Sequence, residues 1–254
     1  MRDVRESPSQ NSGELRLLKD YRLESWLASG RYPQREIRSN RGTREDYHWT
    51  QRVQYAVGHA VNRFYSIQPE FRSQADTAEL VDYRWPRKIS YFDSEKSYWE
   101  LKDRVTDHLA SFFASNGYEG QRPVMLYEQF ETEVTDLGID LSMVFQAVWQ
   151  NENLTGLHLQ KFVVDYDPEV LDGYRHAARV FCREAFGSDP ETIEIYKVLS
   201  GERIELDLKG IPYEKSLDYL RLAYGSMETD YKQEPCTYRS CRQEPEGETG
   251  FRVC

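Results

Sequence analysis

Residues 139–167 read IDLSMVFQAVWQNENLTGLHLQKFVVDYD, and the fold turns on how this stretch is parsed. Ile139, Leu141, Met143, Phe145, Ala147 and Trp149 alternate with Asp140, Ser142, Val144, Gln146, Val148 and Gln150, a period of two that specifies a strand. A polar turn over 150–156 leads to a second expected strand, 157–167, bracketed by Gly156 and Pro168. Asp165 and Asp167 are two apart, so on that strand both carboxylates leave on one face. A helical pattern begins directly behind them. Two strands ending in polar groups, with a helix starting after them, frame a candidate active site.

Upstream, residues 122–129 also read as strand, with Val124, Leu126 and Glu128 on one face, and the turn Asp136-Leu137-Gly138 hands over to the central pair. Downstream, a helix is expected from Pro168 to about Phe186, with Val170, Leu171, Tyr174, Ala178, Phe181 and Ala185 inward and Gly187 as its stop. Residues 193–199 and 203–208 alternate around Ser200-Gly201-Glu202, a hairpin signal, and Pro212 opens a last helix. The amino-terminal half is helical in pattern. A short helix is expected over 15–27 and a buried one over 47–65, carrying Trp49, Val53, Ala56, Val57, Ala60, Val61 and Phe64. Gly58 inside the second weakens it unless a neighbour packs closely there. A third helix follows Ser94, lined by Tyr98, Leu101, Val105, Leu109, Phe112 and Phe113. These elements specify an α/β (α+β) class, a central mixed β-sheet flanked by helices. The division expected is a flexible terminus (1–13), an N-terminal helical part (14–121), the α/β core (122–230) and a Cys-containing tail (231–254).

Composition narrows the function. The 39% hydrophobic and 13% aromatic content of the 254 residues suits a folded core rather than disorder. A net charge of −10 gives no bulk attraction to nucleic acid or anionic membrane. No apolar run reaches membrane length and the start lacks a signal-peptide core, so a cytoplasmic protein without membrane contact is expected. Against the acidic background, Arg31, Arg35, Arg38, Arg41 and Arg44 recur every three or four residues. They read either as a solvated arginine face or as a phosphate-contacting, nucleic-acid-binding segment.

The order of elements from about residue 47 to 241 resembles the RecB-like branch of the PD-(D/E)XK nuclease superfamily, with its restriction-endonuclease-like core. The relatives are nuclease domains of recombination helicase–nucleases and CRISPR-associated exonucleases. Gly58-His59-Ala60-Val61-Asn62 falls on the family's Gly-x-x-x-His helix motif. Glu128 and Met143-Val144-Phe145-Gln146-Ala147 fall on its Glu strand and Gly-x-Ile-Asp-Arg motif. Val164-Asp165-Tyr166-Asp167 falls on Val-Asp-Tyr-Lys, residues 174–178 on the Gln-x-x-x-Tyr helix, and Cys236-Thr237-Tyr238-Arg239 on the terminal Cys element. The resemblance implies a divalent cation, usually magnesium, held by oxygen ligands from two strands, with a Lys beside the attacking water.

This chain departs from the pattern where that chemistry resides. Asn62 stands for His, Gln146 for the metal-binding Asp, and Asp167 for the Lys; Asp165 alone keeps its type. The expectation is a non-cleaving, nuclease-like protein that serves as a structural or nucleic-acid-binding module in DNA repair, recombination or defence, with DNA and a helicase or active nuclease subunit as partners. One alternative is an active magnesium-dependent nuclease that regroups Glu128, Asp165 and Asp167, with Arg175 or Arg179 standing in for the Lys. Another is a protein-interaction adaptor without a nucleic-acid role. Relatives hold an iron–sulfur cluster on four cysteines. Here Cys236, Cys241 and Cys254 lie in the tail, the fourth Cys182 sits in a helix, and no cluster is expected. Glu100-Leu101-Lys102 spells Glu-x-Lys but lies in a helix, where such a pair diverges, and is expected to be a solvated face.

Overall fold

The computed structural model describes residues 16–29, 48–115, 117–118, 120–150 and 156–233. The sheet has six strands. Strand β1 is Arg16–Lys19, where the sequence pattern specifies helix; helix α1, Asp20–Ser29, begins only after it. The apolar spacing of Leu15, Leu18, Tyr21 and Leu23 fits a helix locally. Parallel pairing of β1 with a later strand, which buries Leu18, overrides that preference. Helices α2 (Trp49–Ser66), α3 (Thr77–Asp82) and α4 (Glu95–Ala114) follow. Ser94 caps α4 by accepting from Ser97 N at 3.0 Å.

Strand β2, Met125–Val134, runs antiparallel to β3, Ile139–Gln150, joined by a tight turn whose Gly138 takes a left-handed φ of 63°. Strand β4, Leu157–Val163, pairs antiparallel with the end of β3. Helix α5, Pro168–Phe186, then crosses over and returns the chain as β5, Thr192–Lys197, parallel to β4. Strand β6, Glu202–Glu205, completes a hairpin with β5, and α6, Tyr213–Gln233, closes the described chain. Gly187, at φ 77°, ends α5 as the sequence indicates, its N–H donating to Arg183 O at 3.0 Å.

Both faces of the sheet are covered. Leu18, Leu23, Met143, Phe145, Val148, Leu159, Ile193 and Ile195 pack with α5 and α6. On the other face Ala147, Trp149, Phe162, Val164, Tyr196 and Val198 pack with α2, α3 and α4. Helix α5 is buried well beyond the stripe expected for it, including Gly173, His176, Ala177, Arg179 and Cys182, because α1 and α6 cover the side away from the sheet. Burial pushes the Cys182 thiol up to about 12, which makes it an inert apolar filler.

The inward faces of β3 change partway along. Ile139, Leu141, Met143 and Phe145 belong to the α5 side, whereas Ala147 and Trp149, of the same parity, belong to the α2 side. The reversal falls at Gln146. It is matched on β2, where Tyr127 lies between the paired residues Leu126↔Ala147 and Glu128↔Phe145 and takes a φ of 49°. A left-handed tyrosine within a strand is strained and persists only where its surroundings fix it. Here the ring lies on Gly58 of α2, where an added Cβ would stand 3.3 Å from Tyr127 Cε1. That contact accounts for the glycine in the middle of a buried helix.

Candidate functional site

The edge of β3 away from β2 is shared. Residues 139–142 pair with β1 and residues 147–150 with β4, which leaves a fork at 143–146 where β4 peels away. Open backbone at such a fork needs partners. Asp20, at the start of α1, accepts Val144 N at 2.8 Å and Tyr21 N at 2.7 Å. Gln146 Oε1 accepts Phe162 N at 2.7 Å, with the Tyr127 hydroxyl at 3.5 Å. From α2, the Gln54 amide donates to Phe162 O at 2.8 Å and accepts Val164 N at 2.9 Å, which imitates a neighbouring strand. Three side chains thus stand in for the missing ladder, two of them neutral amides.

Beneath the fork on the α5 side lies an ionic group. Lys161 Nζ donates to Glu24 Oε1 at 2.8 Å and sits 4.3 Å from the Tyr174 ring centre. Asp20 is close enough for its charge to be felt, and its carboxyl is pushed up by burial, partly offset by the bond from Val144 N. Two acids and an ammonium are the residue types of a metal-assisted phosphodiester site, yet Asp20 is 7% and Lys161 8% exposed. A polynucleotide backbone has no access to them. Lys161 is the lone charge in the run LHLQKFVV, a signal that a buried cation needs an acid partner. The partner is hidden in the sequence because the helix expected over 15–27 does not reveal that its Glu24 faces a strand more than a hundred residues away.

The residues singled out from the sequence are placed as follows. Gln146 lies at the fork, and Asp165 is three residues beyond its partner Phe162, so both belong to one end of the β3–β4 pair, within about 10 Å of chain. Strand β4 stops at Val163, so Asp165 and Asp167 lie on the bend into α5 and the shared strand face expected for them does not exist. Asp167 is the N-cap of α5, accepting Glu169 N at 2.9 Å; its identity answers a helix start rather than a lost lysine. Asn62 accepts from the Ser66 hydroxyl within α2, at 2.8 Å through its backbone O and 3.3 Å through Oδ1. Glu128 is exposed opposite Phe145. Among the described residues no three His, Cys, Asp or Glu side chains gather as a metal site, so Glu128, Asp165 and Asp167 do not converge.

The remaining candidates resolve similarly. Arg179 donates to Asp189 at 2.6 and 3.0 Å, and Arg175 pairs with Asp172, so neither reaches the fork. Lys102 is not a solvated face: it is largely buried and bonds Asp82. Arg31, Arg35, Arg38, Arg41 and Arg44, and Cys236, Cys241 and Cys254, lie outside the described residues. No helix among the described residues is long and apolar enough to cross a membrane.

Comparison with protein-family models and with curated proteins finds no match to this chain.

Proposed function

We propose that the chain is a PD-(D/E)XK-like protein that does not cleave and serves as a structural or nucleic-acid-binding module. The element order supports the reading: a helix, a three-stranded antiparallel meander, a crossover helix and a parallel fourth strand, with the Val-Asp-Tyr segment at the end of the third. The observation that carries the loss of cleavage is the bond from Phe162 N to Gln146 Oε1. The side chain at the position of the anchoring carboxylate is neutral and already occupied in closing the fork. The donor set does not fit magnesium, which needs several anionic or carbonyl oxygens around one point.

The test is incubation of the purified full chain with single- and double-stranded DNA and magnesium or manganese. No cleavage above a metal-free control is expected. Metal-dependent cleavage abolished by Asp165→Ala overturns the proposal and favours the regrouped active site.

A further inference from the structure

Helix α2 carries no Asp or Glu in eighteen residues, in a chain with 43 acids against 33 bases. Its outward stripe is Arg52, Tyr55, His59 and Arg63, at steps of three and four. Tyr55 is 58% exposed, and its ring meets the His59 imidazole at 4.4 Å. Residues 83–91, YRWPRKISY, run alongside and also lack an acid. Tyr83, 53% exposed, has the Arg63 guanidinium at 4.1 Å and that of Arg84 at 4.9 Å. At the other end Tyr91 has Arg52 at 3.6 Å and Lys88 at 5.6 Å. The carboxylate next in sequence, Asp82, is held down at about 2 by its bonds to Arg87 and Lys102. Burial, then the charges of Arg84 and Arg63, disfavour a proton on His59. Asp76, Glu79, Asp82 and Asp103 line the cleft that Arg63 and Tyr83 also border, so it is the helix face, and not that cleft, that is free of acids.

We propose that this surface binds single-stranded DNA, with bases stacked on Tyr55 and on the face of Tyr83 that Arg63 or Arg84 vacates as it turns to a phosphate. Exposed rings interleaved with cations suit unpaired bases, whose faces are free, better than a duplex, whose faces are hidden. An acidic peptide would satisfy the arginines but offers the rings no planar partner. From Arg52 to Arg63 the stripe is about 17 Å long, the reach of a few nucleotides. The choice of DNA over RNA rests on the nuclease-like reading above; the choice of a single strand rests on the rings alone.

The test is fluorescence anisotropy of the full chain with a labelled oligo-dT, an equal-length duplex, an oligo-rU and a poly-Glu peptide, in chelator so that cleavage plays no part. Oligo-dT is expected to bind tightest and to weaken as salt rises. Tyr55→Ala with Tyr83→Ala should lower affinity roughly tenfold or more, while Tyr55→Phe with Tyr83→Phe keeps it. Arg63→Ala with Arg84→Ala should flatten the salt slope by about one to two. No binding at low salt, tighter binding of duplex, RNA or peptide, or an unchanged affinity in the Tyr→Ala pair overturns the proposal. Such results leave the loss of cleavage untouched, because the nuclease assay alone decides that question.

Discussion

Helix α2 meets two surroundings, and its residues divide accordingly. Toward the sheet it offers Gln54 and Gly58: an amide that completes the broken ladder of β4, and a gap that receives the Tyr127 ring. Away from the sheet it offers Arg52, Tyr55, His59 and Arg63: Tyr55 and His59 meet edge to face, and the two arginines lie over tyrosines of the next segment. The inner face spends its polar groups on the protein's own backbone. The outer face keeps rings and cations at the surface. Polarity at a strand fork is therefore no sign of chemistry until its hydrogen bonds are counted, whereas an acid-free stripe on an acidic protein holds its charges and rings where a ligand can reach them.

Substitutions should separate the two faces cleanly. Gln54→Leu strands Phe162 O and Val164 N in a buried place and is expected to cost about 2–6 kcal/mol in urea unfolding, at about 1–3 kcal/mol per orphaned group. Gln146→Leu strands only Phe162 N and should cost about half as much. A loss below about 0.5 kcal/mol in both would mean the fork is solvated and the contrast fails.

Acid should also weaken the inner side. His158, opposite Trp149 and near Tyr118, is pushed down to about 4 by burial, the pull of Glu191 notwithstanding. A histidine whose folded value lies below its unfolded one binds more protons when unfolded. Stability is therefore full above the unfolded value of about 6.5, falls as pH drops toward 4, and levels off beneath that. The loss is up to about 3 kcal/mol. Unfolding curves of wild type and His158→Gln across this window check it: the variant should have a shallower slope, the remainder coming from His59 and His176, which burial also pushes down.

Smaller effects follow. Asp167→Ala removes the cap of α5 and should cost about 1 kcal/mol, while Asp167→Asn should cost little, which distinguishes a capping role from a role for the charge itself. Tyr55→Ala with Tyr83→Ala should cost only about 1 kcal/mol of stability, since both rings are more than half exposed and give up chiefly their contacts with His59, Arg63 and Arg84, even as oligonucleotide binding weakens. Equal effects on stability from inner and outer substitutions would erase the contrast.

Much of the fold is legible in the sequence because local signals and packing agree. Ser94, Pro168, Gly187 and the alternation of residues 193–199 each mark an element where one is found. Where reading fails, something distant decides. Strand β1 owes its form to a partner more than a hundred residues away, and no local pattern records that. The reversal at Gln146 is invisible to periodicity because both faces of β3 are covered, so apolar residues stand on either side of it. Sequence reasoning singles out Gln146, which the fold places at the fork, but passes over Gln54, Asp20, Glu24 and Lys161. Their roles depend on which backbone groups the fork leaves open. Of these, the single lysine in an otherwise apolar strand is the readable clue.

Strand β1 also bears on the order of assembly. On the ribosome it emerges long before the β3 segment it lies against, and α1 must wait with it. The β-meander and its crossover helix are built from neighbours and can come together first. The amino-terminal segment then docks late, like a wedge driven in after the frame is joined. Until it arrives, Lys161 has no acid beside it and Val144 no acceptor, so a chain trimmed of β1 and α1 would be a target for proteases at this seam.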